Sequence, residues 1–249
     1  LRSNAYVEHE GLFCPEAIPI DFDISPEEEV SHYIKSLIDL PDSLQVMDFA
    51  NGKVQLVAVR ATQGGPLINK EISALREHMP NVDTRVAAIF RKGEAITPKG
   101  NTIIEVEDEV FFLAATENIR HVMRELRHID NPYNKIMIAG GGNIGERLAA
   151  SLEDKYQTKI IEMDLERCKD LTERLKSTIV LHGDASDQDM MIGANIEDTD
   201  VFLALTNNDE ANIMSSLLAK RKGARKVMTL IANPAYVDLV QSGEIDIAI

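Results

Sequence analysis

Cysteine is nearly absent from this sequence. Cys14 and Cys168 are the only two in 249 residues, and they share no motif spacing. That excludes a disulfide framework or a cysteine-based zinc site, and it fits a reducing compartment. Long apolar runs are missing too: none approaches the roughly 20 residues that a membrane-spanning helix needs. No stretch reads as a secretory signal. Basic charge is also scarce. Lys and Arg number 26 against 41 Asp and Glu, for a formal net charge of −15. The excess is spread along the chain, −9 over residues 1–130 and −6 over 131–249. Neither part offers the basic face that a nucleic-acid binder needs. Adhesion to anionic lipid is disfavoured on the same ground. A role at a membrane would have to run through a protein partner. The sequence opens on Leu1 rather than Met, so the expectation is a piece of something longer.

What is present divides at Asn131-Pro132, which breaks the helical run Glu117–His128. Beyond it, apolar strand-like runs alternate with amphipathic helices. The strands read Lys135–Ala139, Lys159–Met163, Thr178–His182, Asp200–Leu205, Lys226–Ile231 and Ile245–Ile249. Helical spacing marks Ile144–Leu152, Leu165–Leu175 and Asp209–Arg221, the last with Ile213/Leu217 and Met214/Leu218 as its apolar face. This alternation predicts a doubly wound parallel sheet, an α/β fold. Residues 46–130 differ. Strands Val54–Arg60, Thr84–Phe90 and Val110–Ala115 are separated by Lys92-Gly93, Pro98–Asn101 and Glu107-Asp108, with one helix at Lys70–His78. That reads as a smaller α+β domain with antiparallel hairpins.

A weak repeat links the two ends. Ala5-Tyr6-Val7 answers to Ala235-Tyr236-Val237, and Ile20-Asp21 to Ile245-Asp246. Chance similarity of two short segments is the competing explanation. At face value, residues 1–45 hold the tail of a first Rossmann-like domain and a crossover helix, and residues 131–249 hold a second such domain. The crossover helix opens at Ser25-Pro26-Glu27-Glu28-Glu29. A Ser-x-x-Glu capping box, Pro at the first helical position and acids in the first turn account for this stretch. Val30, Ile34, Leu37 and Ile38 then share one face.

Gly140-x-Gly142-x-x-Gly145 sits between a predicted strand and a predicted helix, where a dinucleotide-binding turn belongs. Gly140 permits the tight turn. Gly142 leaves room for a pyrophosphate, and Gly145 lets the helix pack against the sheet. The first-turn amides of Asn143, Ile144 and their neighbours then face the anion. Glu162 follows Gly142 by 20 residues, about where an acid meets ribose hydroxyls; Asp164 is the alternative. A carboxylate there repels a 2′-phosphate and so disfavours NADP. Two further strand ends carry polar loops, Gly183–Asp187 and Thr206–Asp209. The first is placed to flank an adenine, the second to lie near phosphates or a second ribose. Turn and cap residues are also ordinary at such places.

The segments "IMIAGGGNIGERLA", "HGDASDQDMM", "LALTNNDEANIMSSLLAKRKGA" and "NPAYVDLVQSGEIDIAI" resemble the regulator-of-potassium-conductance nucleotide domain. Among such domains they are similar to the TrkA family of regulatory subunits of bacterial potassium uptake systems. "GGPLINKEISALREHMPNVDTRVAAIFRKGEAITPKGNTIIEVEDEVFF" is similar to the C-terminal regulatory subdomain of that family. The resemblance implies NAD(H), or alternatively ATP or ADP, as ligand, held by Gly140, Gly141, Gly142, Asn143, Ile144, Gly145, Glu162, Asp184, Ala185, Thr206 and Asn207. It implies a potassium-translocating membrane subunit of the TrkH/TrkG kind as partner. It also implies a homo-oligomer, dimer or tetrameric ring, that is cytoplasmic and peripheral to the inner (plasma) membrane. One departure stands out: the family often has Arg near the end of the fifth strand, where this chain has Leu230-Ile231-Ala232.

A nicotinamide enzyme needs an acid or base near the hydride centre. His182, the sole histidine after residue 130, is expected on the adenine side, and no Ser/Tyr/Lys set or metal cluster is visible. His9, His32, His78, His121 and His128 are scattered. The reading is therefore a non-catalytic nucleotide sensor. An oxidoreductase whose catalytic domain lies outside this sequence is the alternative.

Overall fold

The computed structural model describes residues 24–127, 132–241 and 243–249. The first copy of the repeat, with His9 and Cys14, lies outside the described residues, as do His128 and Asn131. The chain forms two compact units. One comprises the described residues up to Lys35 together with Tyr133–Ile249, the other Ser36–Pro132. Helix α1, Pro26–Asp39, starts as its composition dictates. The Glu28 and Glu29 amides donate to the Ser25 carbonyl at 3.1 and 3.0 Å, and three glutamates occupy the first turn. Ile34, Leu37 and Ile38 are buried.

The unit Ser36–Pro132 is built on an antiparallel sheet. Its strands are β1 (Ser43–Phe49), β2 (Val54–Arg60), β3 (Thr84–Arg91), β4 (Glu94–Ile96) and β5 (Glu109–Ala115), in the order β1-β2-β5-β3-β4. Along β5, Val110, Phe112 and Ala114 are buried in alternation. Lys92 and Gly93 both take positive φ, 53° and 82°, as the two-residue turn of the β3–β4 hairpin requires. The helix expected over Lys70–His78 is only one 3-10 turn, Ile72–Ala74, followed by α2, Leu75–His78. Its first residues are drawn elsewhere: the Lys70 carbonyl accepts from the Ile104 amide and the Ile72 amide donates to Thr102. Pro80 disfavours helix at Met79. A 3-10 turn at Thr116–Asn118 leads into α3, Ile119–Leu126, which buries Ile119, Val122, Met123 and Leu126. Here the fully buried Asp108 accepts from both Nε and Nη2 of Arg91 at 2.8 Å, and from the Glu105 amide at 2.8 Å.

The other unit is a doubly wound parallel sheet. Its strands are β6 (Lys135–Ala139), β7 (Gln157–Glu162), β8 (Ile179–His182), β9 (Val201–Ala204), β10 (Lys226–Thr229) and β11 (Ile247–Ala248), ordered β11-β10-β9-β6-β7-β8. The helices are α4 (Asn143–Leu152), α5 (Leu165–Arg174), α6 (Gln188–Gly193), α7 (Asp209–Arg221) and α8 (Pro234–Gln241). All four residues of β9 and of β10 are buried, as a parallel sheet covered on both faces demands. Strand order reverses between β6 and β9. Ligands of such sheets lie outside the carboxyl ends at that point.

Helix α7 corrects one expectation. Its buried residues are Asn212, Ser215, Ser216 and Ala219, while Met214 is 62% exposed. Small side chains let the helix lie close to β9 and β10. Ile213 and Leu217 pack sideways instead, against Ile231, Val240 and Ile245.

Candidate nucleotide-binding cleft

The chain leaves β6 through Gly140, whose φ of +102° suits glycine, and whose amide donates to the Ile161 carbonyl at 2.9 Å. Gly142 precedes α4 in extended backbone, and a Cβ there would meet nothing within 4 Å. At Gly145 a Cβ would fall onto the Gly140 carbonyl oxygen, so α4 approaches the strand end this closely only because no side chain intervenes. First-turn amides of a helix have no partner within it, and Gly142 brings no capping side chain. The mouth of α4 is therefore a place for an anion.

Glu162 ends β7 and uses both carboxylate oxygens. Oε2 accepts from the Gly141 amide at 2.7 Å and Oε1 from the Asp164 amide at 2.8 Å. Asp164 itself caps α5, its Oδ1 taking the Arg167 amide at 3.0 Å. Arg167 completes the support: its Nε donates to the Gly141 carbonyl at 2.8 Å and its Nη2 to Glu146 at 2.5 Å. The Gly141 peptide is thus held on both sides. Arg167 escaped the sequence reading, although a cation in the first turn of a helix runs against the dipole preference and was the visible sign.

The remaining loops close in from the next strands. Asp184, after β8, accepts from the amide and hydroxyl of Ser186 at 2.8 and 2.7 Å, with Ala185 buried behind it. Thr206, after β9, gives its amide and hydroxyl to Asn212 Oδ1 at 2.9 and 2.6 Å. Asn212 returns Nδ2 to the carbonyls of Thr206 and Leu230, both at 3.0 Å. This fully buried amide ties the β9 loop to the end of β10.

The result is a cleft of about 560 Å³. It brings Gly140, Gly142, Asn143, Ile144, Glu162, Asp184, Ala185, Thr206 and Asn207 together; Gly141 and Gly145 are not in its lining. Among the lining residues that were not foreseen, two stand out. Met163 stands 66% exposed beside Glu162, and Glu27 comes from the first turn of α1. Asn143 Nδ2 donates to Glu27 Oε1 at 3.1 Å, and Arg147 pairs with Glu28 at 3.5 Å. Leu230 lines the cleft at the position where the resemblance led one to look for Arg. His182 lies outside the lining, its Nε2 3.0 Å from the Met163 carbonyl. Burial, then the charges of Glu162 and Asp164, push the Cys168 thiol up, away from the thiolate form that a nucleophile needs.

Fold and cleft together define a class: a Rossmann-type nucleotide-binding unit carried in one chain with an α+β unit. Residues 56–127 match the TrkA-C domain and residues 136–249 the TrkA-N domain. The chain thus carries both TrkA domains. It is 58% identical over its whole length to the Trk system potassium uptake protein TrkA of Halomonas elongata, of which it covers 54%. It spans about half the length of the curated relatives it matches. In fold it is similar to the RCK domain of GsuK, with a TM-score of 0.61 at 16% identity, over 91% of this chain and 49% of that one. A GsuK channel bound to NAD gives a TM-score of 0.60 at 16% identity, over 91% and 40%. Among the described residues no helix is long and apolar enough to cross a membrane.

Proposed function

We propose that this cleft binds an adenine nucleotide, NAD(H) before ATP or ADP, without transforming it. Its occupancy then regulates potassium uptake through a potassium-translocating membrane subunit of the TrkH/TrkG kind. The observation that carries the reading is the convergence at one strand-order reversal of open α4 amides and the Glu162 carboxylate. Pyrophosphate suits the amides. The ribose hydroxyls suit Glu162, which exchanges its amide partners for them. Gly140–Gly145, Asp184-Ala185 and Thr206-Asn207 shape the remainder. The non-catalytic reading draws further support from relatives named as potassium uptake proteins. The whole protein is taken as a homo-oligomer, dimer or tetrameric ring, held peripherally at the membrane by its partner. Domain limits near 45 and 130 belong to the same proposal.

Regulation requires that the ligand bind two arrangements of the assembly unequally; equal affinity would shift nothing. The test is potassium flux through the reconstituted system, with the complete regulatory protein carrying Glu162→Ala. Nucleotide-dependent flux is expected in the wild type and a blunted response in the variant. Unchanged dependence on nucleotide would overturn the proposal.

A further inference from the structure

The cleft is charged against its own ligand. Among the described residues its lining contains three carboxylates, Glu27, Glu162 and Asp184, and no lysine, arginine or histidine. Two of these have local tasks, since Glu162 holds the Gly141 and Asp164 amides and Asp184 holds Ser186. Glu27 is different. It arrives from α1, well before the glycine loop in sequence, and touches the cleft at Asn143, the first residue of α4. That is the end of the helix where a pyrophosphate would sit. The neighbouring Leu230 brings no compensating charge.

We infer that Glu27 is a specificity-determining residue, a fixed negative charge beside the phosphate position that favours ligands of low net charge. The inference rests on the nucleotide reading above. A dinucleotide carries little net charge, because both phosphates of its pyrophosphate are esterified, and it gains contacts along the whole cleft. A free di- or triphosphate concentrates its charge where Glu27 stands. The amides of α4 attract any anion, so they cannot supply this discrimination; a carboxylate held next to them can. Asn143 keeps it there, and Glu28 pairing with Arg147 anchors the same helical turn.

Glu27→Gln isolates the charge, because the glutamine carbonyl still accepts from Asn143. NAD⁺, NADH, ADP and ATP are titrated calorimetrically against both forms of the intact chain, without divalent cations. ATP carries about two more negative charges than NADH, and each is worth about a twofold factor near a half-exposed carboxylate, so ATP should gain about fourfold more than NADH. Raising the salt concentration should shrink that difference. Glu28→Gln, on the same turn but outside the lining, should show no such gradation.

Equal gains for all four nucleotides, weaker ATP binding, or the same gradation in Glu28→Gln would each overturn the inference. Flat gains in Glu27→Gln, with NADH binding still lost in Glu162→Ala, would overturn it alone. No nucleotide binding by the wild type would overturn the functional proposal with it.

Discussion

A methyl group added at Gly145 has nowhere to go, because the Gly140 carbonyl oxygen occupies its place. Gly145→Ala must therefore push α4 off the end of β6. Overpacking of this kind costs roughly 1–3 kcal/mol, and here it also displaces the amides that face the cleft. Both the melting temperature and nucleotide affinity should fall. Gly193→Ala, where a Cβ meets nothing within 4 Å, is the matched control and should leave both nearly unchanged. Glu153 makes a second prediction for a single residue. Burial pushes its carboxyl up, but amides of Ser177, Lys176 and Thr178 and the Thr178 hydroxyl outweigh this and leave it below the ordinary carboxylate value. A depressed folded value means the stabilisation is full above the unfolded value and is lost as pH falls through the folded one. The melting-temperature gap between wild type and Glu153→Gln should be constant near neutrality and close on acidification. A gap that widens in acid would contradict this account.

Among the elements, α7 shows what patterning can and cannot reveal. Strand–helix alternation and the glycine turn were legible because each depends on residues near in sequence. The buried face of α7 was not. A helix against a tightly spaced parallel sheet needs small residues there, and Asn212, Ser215 and Ser216 look like a solvent face by composition. Asn212 has value only through Thr206 and Leu230, which come from two other elements. Glu27 was equally hidden, since its capping role on α1 explained it fully without the cleft. By contrast, the glycine positions and Glu162 lie where a 20-residue spacing led one to look, because one βαβ unit fixes them. Asn212→Ala would strand the Thr206 amide and the Leu230 carbonyl, at about 1–3 kcal/mol for each buried group left unsatisfied. Denaturant unfolding should register that loss. Met214→Ser, on the exposed side of the same helix, should stay within about 0.5 kcal/mol of wild type.

In the molecule as a whole, two sheets of different construction each carry their own interior. The antiparallel unit carries a bidentate, partly buried ion pair, Arg91 with Asp108, at the base of the β3–β5 pairing. The hydrogen bond that Arg91 donates to Asp108 outweighs the burial that would lower it, and raises the guanidinium pKa above its ordinary value. Asp108→Ala would leave Arg91 Nε and the Glu105 amide without their acceptor, while Arg91 keeps Glu105 and the Ile103 carbonyl, a loss of roughly 1–3 kcal/mol for each group stranded, read by unfolding. The parallel unit invests instead in the mouth of α4 and the carboxylate across from it, and the account of function stands or falls there. Calorimetric titration of NADH into the wild type and into Glu162→Ala is the most direct test. Saturable binding is expected in the first and at least about tenfold weaker binding in the second, the loss expected when a charged hydrogen-bonding partner is removed. Identical isotherms, or no heat in either, would contradict it.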